Sequence, residues 1–329
     1  METNKWNRAP LAAAAMLAIC SNASAIEIST DVEDLTVRFD NTVKYSVAQR
    51  LKAANPSLLA DANLDDGDRN FKKGGLISNR VDLLSEFDVA YRNVGLRISG
   101  AAWYDSVYTG SNDNDSPYTV NHLSTPFNKF SRGTRDLHGR NAEILDAFVY
   151  GRTQVGDMLL TGRLGKHTLV FGESLFFGAN GIAAAQAPID YVKLISVPGT
   201  QFKELMRPVP QISGQIQLTP NASLGAYYQF KWEKDRLPAA GSYFSSVDIL
   251  DEGGEQTLLG PGMALSRGQD AHPKNSGQGG VQFKYSPEGG DTDYGLYAVR
   301  WHAKSPITQP DFATGSYRHS VSRASARPV

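Results

Sequence analysis

The strongest constraint on the fold is an alternation of apolar and polar residues from Leu35 to Val47. Every odd-numbered position in this segment except Asn41 is apolar, and every even-numbered position is polar. Because successive side chains of a strand point to opposite faces, we predict a strand with one apolar and one charged face. Such a strand is long enough to cross an outer membrane. Arg38 and Lys44 lie on the charged face, which makes them candidates for side chains that line a lumen.

The next two predicted strands, at 81–91 and 94–104, form a hairpin with only two residues between them. A two-residue turn brings the apolar faces of both strands together and places Asp88 opposite Arg97. Turn length, alternation and cross-strand charge therefore agree on one register, with Asp88 and Arg97 on the polar face. The predicted pairs are Tyr91 with Val94, Val89 with Leu96, Phe87 with Ile98 and Asp88 with Arg97.

Short and long connections alternate along the rest of the chain. Further strands are predicted at 142–151, 158–171, 209–218, 224–233, 280–286 and 293–304. The short connections are 92–93, 152–157, 219–223 and 287–292. Short turns at one end and long loops at the other are typical of an outer-membrane barrel. We therefore predict an all-β fold, an antiparallel up-and-down transmembrane β-barrel. Because single-chain bacterial barrels nearly always have an even number of strands, the odd number predicted here indicates either a strand that the pattern does not reveal or a barrel that is incomplete in this chain. Of the two, the sequence favours a barrel truncated at its C-terminus, with an altered reading frame as one source of the basic tail.

The N-terminus has the pattern of a secretory signal. Basic residues precede an apolar stretch from Leu11 to Cys20, and Ala23-Ser24-Ala25 provides a cleavage site before Ile26. This pattern predicts export to the bacterial outer membrane. The predicted organisation is a signal peptide at 1–25, a barrel region at 26–304 and an irregular basic tail at 305–329.

Composition limits the partners and the solvent of the chain. A formal net charge of −1 gives no electrostatic basis for binding nucleic acid. No segment after the predicted signal has the run of about eighteen apolar residues that a membrane helix needs, so only a closed barrel could cross a bilayer. The expected partners are outer-membrane lipid, the barrel assembly machinery and a small hydrophobic solute.

A family resemblance extends over nearly the whole chain. It rests on NLDDGDRNFKKGGLISNR (63–80), ILDAFVYG, GRLGKHTLVFGES (162–174), APIDYVKLISVPGTQFKELMRPVPQ (187–211), LGAYYQFKWEKDRLPAAGSYFS and GLYAVRWHAKSP. In these segments the chain resembles the proteobacterial outer-membrane family called domain of unknown function 1302. The resemblance implies a membrane barrel, longer in most members, that passes hydrophobic or aromatic compounds. It brings no catalytic motif.

The first long loop carries an acidic cluster that could bind a hard cation such as Ca²⁺ or Mg²⁺. The EF-hand pattern does not fit, because Gly67 stands seventh rather than sixth and Lys72 stands where the final acid belongs. A solvated acidic loop is the alternative interpretation, and we expect no other cofactor. The candidate ligands are Asp61, Asn63, Asp65, Asp66 and Asp68.

Two further regions provide candidate lumen residues. Arg163 and His167 share one face of the predicted strand at 158–171, where they would tune what passes, hydrate the interior or pair with a carboxylate. The long loop at 172–208 is unusually apolar, which predicts either a constriction folded into the barrel or packing over its mouth. The polar contacts predicted for this loop are Glu173, Asp190, Lys203 and Glu204.

These patterns favour a passive channel or transport port for small hydrophobic or aromatic compounds. One alternative is a surface-exposed structural or adhesion protein that binds through its long loops. A second is an outer-membrane hydrolase that uses His167 and Ser174, although no Gly-x-Ser-x-Gly elbow surrounds that serine. We therefore expect that the protein is not an enzyme.

Overall fold

The protein is mostly β structure, and its strands form one large and one small sheet. A computed structural model describes residues 15–20, 24–172 and 182–320 of the chain. The strands are β1 (Ala15–Cys20), β2 (Ser24–Ile28), β3 (Leu35–Gln49), β4 (Leu76–Tyr91), β5 (Val94–Asp105), β6 (Arg140–Val155), β7 (Met158–His167), β8 (Val209–Thr219), β9 (Ala222–Gln229), β10 (Gln256–Gly260), β11 (Met263–Arg267), β12 (Gln278–Tyr285), β13 (Tyr294–Arg300), β14 (Ile307–Asp311) and β15 (Ser316–Ser320).

The large sheet is an antiparallel meander of eleven strands in the order β1-β3-β4-β5-β6-β7-β8-β9-β12-β13, with β2 also pairing with β3. All nine strands predicted from the sequence are present in it, and neighbours in the chain are neighbours in the sheet. β1 lies within the segment predicted as the signal peptide and pairs with the part of β3 from Lys44 to Gln49. The predicted opening strand is therefore paired on both of its edges.

The register predicted for the hairpin of β4 and β5 is confirmed at every pair. Tyr91 pairs with Val94, and Asp88 lies opposite Arg97. Arg92 adopts a left-handed conformation with φ of 53° in the two-residue turn. A positive φ at this position matches the right-handed twist of the flanking strands, so the turn holds the register that the side-chain pairs prefer.

Over much of its area the large sheet exposes its apolar face and buries its polar face, although Thr36 and Arg38 near the start of β3 are exposed. On β3, Val43 and Tyr45 are 45% and 41% exposed, whereas Lys44 and Ser46 are 6% and 2% exposed. This is the reverse of what a strand does in a water-soluble domain. Each of the nine predicted strands carries an exposed apolar residue, namely Phe39, Leu83, Ile98, Val149, Leu164, Ile212, Leu224, Val281 and Leu296.

A β-bulge interrupts the alternation of β6. Ile98 of β5 pairs with Ala147 of β6, and Gly100 of β5 pairs with Ile144 of β6. Between these two pairs, Leu145 and Asp146 together oppose the single residue Ser99. Asp146 and Ser99 hydrogen-bond each other at 3.0 Å. Because two residues oppose one, the inward and outward positions shift at this point. This is the physical reason why the sequence of β6 does not show which face is polar.

The long connections meet at one end of the sheet, where they form what we call the loop cap. The loop cap consists of residues 50–75, 106–139, 182–208 and 230–277. The connections at the opposite end are 92–93, 156–157, 220–221 and 286–293. Hydrogen bonds join the long connections to each other: Asn70 Nδ2 donates to the Gly241 carbonyl (2.8 Å), Thr134 Oγ1 to the Ala240 carbonyl (2.7 Å) and the Tyr191 backbone N–H to the Arg236 carbonyl (2.9 Å).

Short helices and an apolar core give the loop cap its structure. The helices are α1 (Asp66–Arg69), α2 (Ser106–Thr109), α3 (Arg132–Thr134), α4 (Tyr191–Ser196) and α5 (Phe202–Leu205), with 3₁₀ turns at Pro56–Leu59 and Ile182–Ala185 and a π turn at Arg135–Gly139. None of the helices in the described residues is long and apolar enough to span a membrane. The main buried apolar cluster contains Ala48, Phe71, Ile77, Tyr108 and Phe130.

The C-terminal segment is more regular than the sequence predicts. Up to Ser320, the segment predicted to be an irregular tail forms the hairpin of β14 and β15, and β15 pairs in parallel with β11 in the small sheet β10-β11-β15-β14. The buried side chain of His319 accepts a hydrogen bond from the Asp251 backbone N–H at 3.0 Å. Because β15 buries polar side chains such as His319 and Ser320, it lacks the alternation by which strands are recognised in a sequence. The predicted boundaries at residues 25 and 304 remain predictions.

Candidate functional site

A cluster of charges lies on the polar face of β4, β5 and β6. The Arg97 guanidinium lies 2.5 Å from Glu86, 3.8 Å from Asp88 and 3.7 Å from Asp146, measured between the nearest nitrogen and oxygen atoms. Asp88 also accepts a hydrogen bond from the Tyr150 hydroxyl at 2.9 Å. Three carboxylates around one guanidinium leave an excess of negative charge on this part of the face.

The segment from 187 to 207, which we call the strap, lies across the polar face. Lys44 Nζ on β3 is 3.7 Å from a carboxylate oxygen of Glu204 in α5 and 3.5 Å from the Gly199 carbonyl. β3 is four strands away from β7, where this connection begins, and four strand spacings of a flat sheet span roughly 19 Å. The strap therefore extends across the polar face from β7 to β3.

Arg236 of the loop cap fixes the other end of the strap. Its guanidinium donates to Asp190, at the start of α4, at 2.7 Å, and to Glu143, on β6, at 2.6 Å. It also lies 5.6 Å from the centre of the Trp103 ring. The two carboxylates, the ring and the guanidinium are largely buried. A buried bidentate pair of this kind holds its partners in one geometry, so the strap is attached to the sheet on two sides.

A cavity of about 410 Å³ lies between the strap and the polar face. Charged and apolar side chains both line it, including Arg97, Arg163, His167, Glu204, Phe148 and Phe202. The Arg163 guanidinium lies 5.7 Å from the centre of the Phe148 ring. Such a lining can contact an aromatic ring and a polar substituent of the same small molecule.

The side chain of His167 is buried and held by two hydrogen bonds. Its Nε2 lies 2.8 Å from the Ser213 hydroxyl, and its Nδ1 lies 3.1 Å from the Gly165 carbonyl. The second contact requires a proton on Nδ1, so Nε2 accepts from Ser213. Gly165 has φ of 129°, and a Cβ there would lie 2.4 Å from the Ala147 carbonyl, so only glycine fits at this point of β7.

Three other predicted lumen residues are Arg38, Lys203 and Glu173. Arg38 lies further along β3, where its side chain is 56% exposed and 3.9 Å from Asp40. Lys203 is the second residue of α5. Glu173 lies outside the described residues, as does Ser174, the serine of the hydrolase alternative.

The acidic cluster predicted in the first long loop separates into buried and exposed groups. Asp65 and Asp66 are buried at the start of α1, where Asp248 from the connection between β9 and β10 joins them. The other three predicted ligands point elsewhere: Asp61 is exposed, Asn63 hydrogen-bonds the backbone of Leu258, and Asp68 pairs with Arg50.

A comparison with known protein families places the chain. The family profile described as "Protein of unknown function (DUF1302)" matches residues 8–325. The chain belongs to this family. No curated protein and no solved structure matches the chain. The description of the DUF1302 family states no activity, so the function of this member has to be argued from its own geometry.

Sequence reasoning missed three residues that organise this DUF1302 protein, namely Glu143, Arg236 and Asp248. Their partners are far away in the chain, as for Arg236 and Glu143, which are 93 residues apart. The available signals were the charged run at 233–236 and the three acidic residues within 248–252. These runs look like ordinary solvated loop sequence, because charge runs in loops are usually exposed.

Burial changes the protonation of the acidic group in the loop cap. Desolvation by burial, together with the charge of Asp66, raises the pKa of Asp248 to about 8. Burial also raises the pKa of Asp65 and of Asp66 above the usual range of aspartate. A shared cause acts on all three carboxyl groups: each loses water, and each feels a neighbour of the same charge.

Proposed function

We propose that this DUF1302 protein is an outer-membrane β-barrel that acts as a passive port for small hydrophobic or aromatic compounds. The observation that carries the proposal is the inverted large sheet, which exposes an apolar residue on each of nine strands and buries polar residues on the opposite face. A sheet that faces hydrocarbon on one side and water on the other requires this arrangement.

The size of the exposed apolar face supports a membrane environment. Monomeric soluble proteins rarely expose continuous apolar patches larger than a few hundred Å². Leaving apolar surface in water costs about 25 cal/mol for each Å², so apolar residues exposed on nine neighbouring strands would be unfavourable in water. In contact with lipid the same residues are favourable.

The strap supports a port with a narrowed lumen. It carries Asp190 and Glu204 to the polar face, and it leaves the cavity beside Arg97 and His167. Charged groups at a constriction tune which solutes pass. Aromatic groups in the same lining, including Phe148 and Phe202, favour solutes that combine a ring with polar groups.

The port is tested by conductance of the full-length protein in planar lipid bilayers. Wild type should conduct. Lys44→Glu should raise the conductance, because the new carboxylate repels Glu204 and releases the strap from β3. The charge-swapped double variant Lys44→Glu/Glu204→Lys should restore the wild-type value. Arg38→Glu is the matched control, because it makes the same change on the same strand away from the strap.

Solute preference is tested by liposome swelling with phenyl β-glucoside and methyl β-glucoside, which carry a phenyl and a methyl group on the same sugar. The phenyl compound should enter at least as fast as the smaller methyl compound. Folding of each preparation is verified by heat-modifiable migration in electrophoresis. Folded protein that leaves bilayers sealed would rule out the port, and slower entry of the phenyl compound would rule out the aromatic preference.

A further inference from the structure

Three buried carboxylates from two distant parts of the chain meet in the loop cap. Asp65 immediately precedes α1, Asp66 begins it, and Asp248 lies in the connection before β10. Their exposed fractions are 2%, 3% and 0%. One carboxylate oxygen from each residue lies within 4.8 Å of the others. Surface acids are common, but three acids buried against each other need a physical explanation.

Two oxygens of this group have no hydrogen-bond partner. Asp65 accepts from Arg69 through Oδ2 at 2.7 Å, and Asp248 accepts from the Asp66 backbone N–H through Oδ2 at 2.9 Å. Among the described residues, Oδ1 of Asp65 and Oδ1 of Asp248 are buried without a partner. Buried carboxylate oxygens are normally satisfied, so these two atoms indicate a missing positive ligand.

Asp66 is held in place by neutral donors rather than by a cation. The Asn121 amide donates to its Oδ2 at 3.0 Å, and Asn114 and Thr119 donate to its Oδ1. Arg69 is the one cationic side chain of the described residues that hydrogen-bonds the group, and it contacts Asp65. Neither Asp66 nor Asp248 is therefore paired with a basic side chain. Buried charges are tolerated when they are paired or when they coordinate a metal.

We propose that Asp65, Asp66 and Asp248 bind one Ca²⁺ ion. Ca²⁺ takes oxygen ligands at about 2.4 Å, so two oxygens on the same ion lie at most about 4.8 Å apart, as these do. Carboxylates on an irregular loop suit Ca²⁺, whereas Mg²⁺ demands a nearly ideal octahedron. The ion would join the connection at 50–75 to the connection at 230–277.

The close contact between these two connections fits a shared ion. Gly67, the residue after Asp66, packs directly against residues 242–245. A Cβ at Gly67 would lie 2.4 Å from the Ser245 carbonyl oxygen and 2.8 Å from the Ser242 carbonyl oxygen. Asn63 and Asp248 are also joined by a backbone hydrogen bond of 2.9 Å. The backbone is therefore already arranged to bring Asp248 to the pair on α1, and this site does not depend on the proposed port.

Isothermal titration calorimetry tests the site on full-length protein folded in detergent and washed with chelator. Wild-type protein should give a saturable binding isotherm with one Ca²⁺ per chain. Asp248→Asn should weaken the affinity at least tenfold, because it removes one ligand charge. Asp61→Asn is the matched control, because Asp61 belongs to the same acidic loop but is exposed. The Ca²⁺ affinity of this variant should equal that of wild type.

Limited proteolysis of wild type provides a test that does not depend on a variant's folding. Chelator should speed cleavage within 230–277, and added Ca²⁺ should restore protection. Absence of saturable binding by wild type, equal affinity in Asp248→Asn and wild type, or cleavage that ignores Ca²⁺ would each overturn the site. None of these outcomes would affect the conductance expected of the port.

Discussion

The large sheet and the loop cap bury opposite kinds of side chain. In the sheet, Val43 is exposed while its neighbour Lys44 is buried. In the cap, Phe71 and Tyr108 are buried in an apolar cluster, as in an ordinary soluble domain. The same chain therefore buries polar side chains in the sheet and apolar side chains in the core of the cap. The difference teaches that the molecule is not organised around one hydrophobic core, and it is the difference expected if the sheet contacts lipid as proposed.

The cap also buries polar groups, but it satisfies most of them by specific hydrogen bonds. Thr134 donates to the Ala240 carbonyl, and His138 accepts from the Ala239 backbone N–H at 3.0 Å. In the sheet, the strand ladders already satisfy the backbone, so the outward face needs no polar side chains. Polar networks thus specify the cap, whereas alternation specifies the sheet.

The largest effect is expected from truncating the core of the cap. Phe71→Ala removes a ring that contacts Tyr108, Phe130 and Tyr243, and it should cost about 3–5 kcal/mol of unfolding free energy. If the apolar face contacts lipid as proposed, Leu164→Ala on that face of β7 should cost about 1 kcal/mol or less, because lipid would fill the space. Urea titration of protein in lipid vesicles measures both. Equal costs would contradict the contrast between the two regions.

The second prediction places a charge on each face of the same strand. Leu164→Lys puts an ammonium group on the apolar face near the middle of β7 and should cost about 2–4 kcal/mol in vesicles. Thr161→Lys puts it on the polar face and should cost less than about 1 kcal/mol. The same urea titration compares them. If the two substitutions are tolerated equally, the apolar face is not in contact with lipid.

The third prediction concerns acid sensitivity of the cap. Burial, and then the charges of Arg80 and Arg236, lower the pKa of His138 to about 3. The folded protein therefore keeps this ring neutral, while the unfolded chain binds a proton below about pH 6.5. Stability from His138 is complete above pH 6.5 and is lost as the pH falls toward 3.

Between pH 6.5 and 5 the loss should be about 2 kcal/mol, at about 1.4 kcal/mol for each pH unit and proton. His138→Gln should lessen this dependence, because an amide oxygen can accept from Ala239 without titrating. His302→Gln, at a histidine outside this network, is the control. Urea titrations at several pH values measure the slope, and an unchanged slope in His138→Gln would assign the acid sensitivity to other groups.

The smallest effect is expected where the polar face is exposed. Arg38→Gln removes an ion pair of 3.9 Å whose arginine is more than half exposed, and it should change stability by less than about 0.5 kcal/mol. The variant for comparison is Arg236→Gln, which leaves Glu143 and Asp190 buried without their cation. It should lower the free energy of unfolding several-fold more than Arg38→Gln does. Equal effects in urea titration would mean that the strap is not held by Arg236.

The degree to which sequence predicts structure differs between the two regions for a physical reason. The hairpin of β4 and β5 could be predicted to the residue, because turn length and alternation act over a few neighbouring positions. β6 was harder to interpret, because the bulge at Leu145 and Asp146 shifts its faces. β15 was not predicted, because its buried residues are polar and depend on partners such as Asp251.

The sequence by itself determined the strands, their order in an antiparallel meander and the assignment of Asp88 and Arg97 to one face. These features depend on local alternation and on short turns, which a sequence displays directly. Only the tertiary structure decided that Asp248 joins Asp65 and Asp66, that Arg236 ties the strap to Glu143, and that β1 covers the edge of β3. Those contacts join residues far apart in the chain, and loop sequence carries no periodic signal that specifies them.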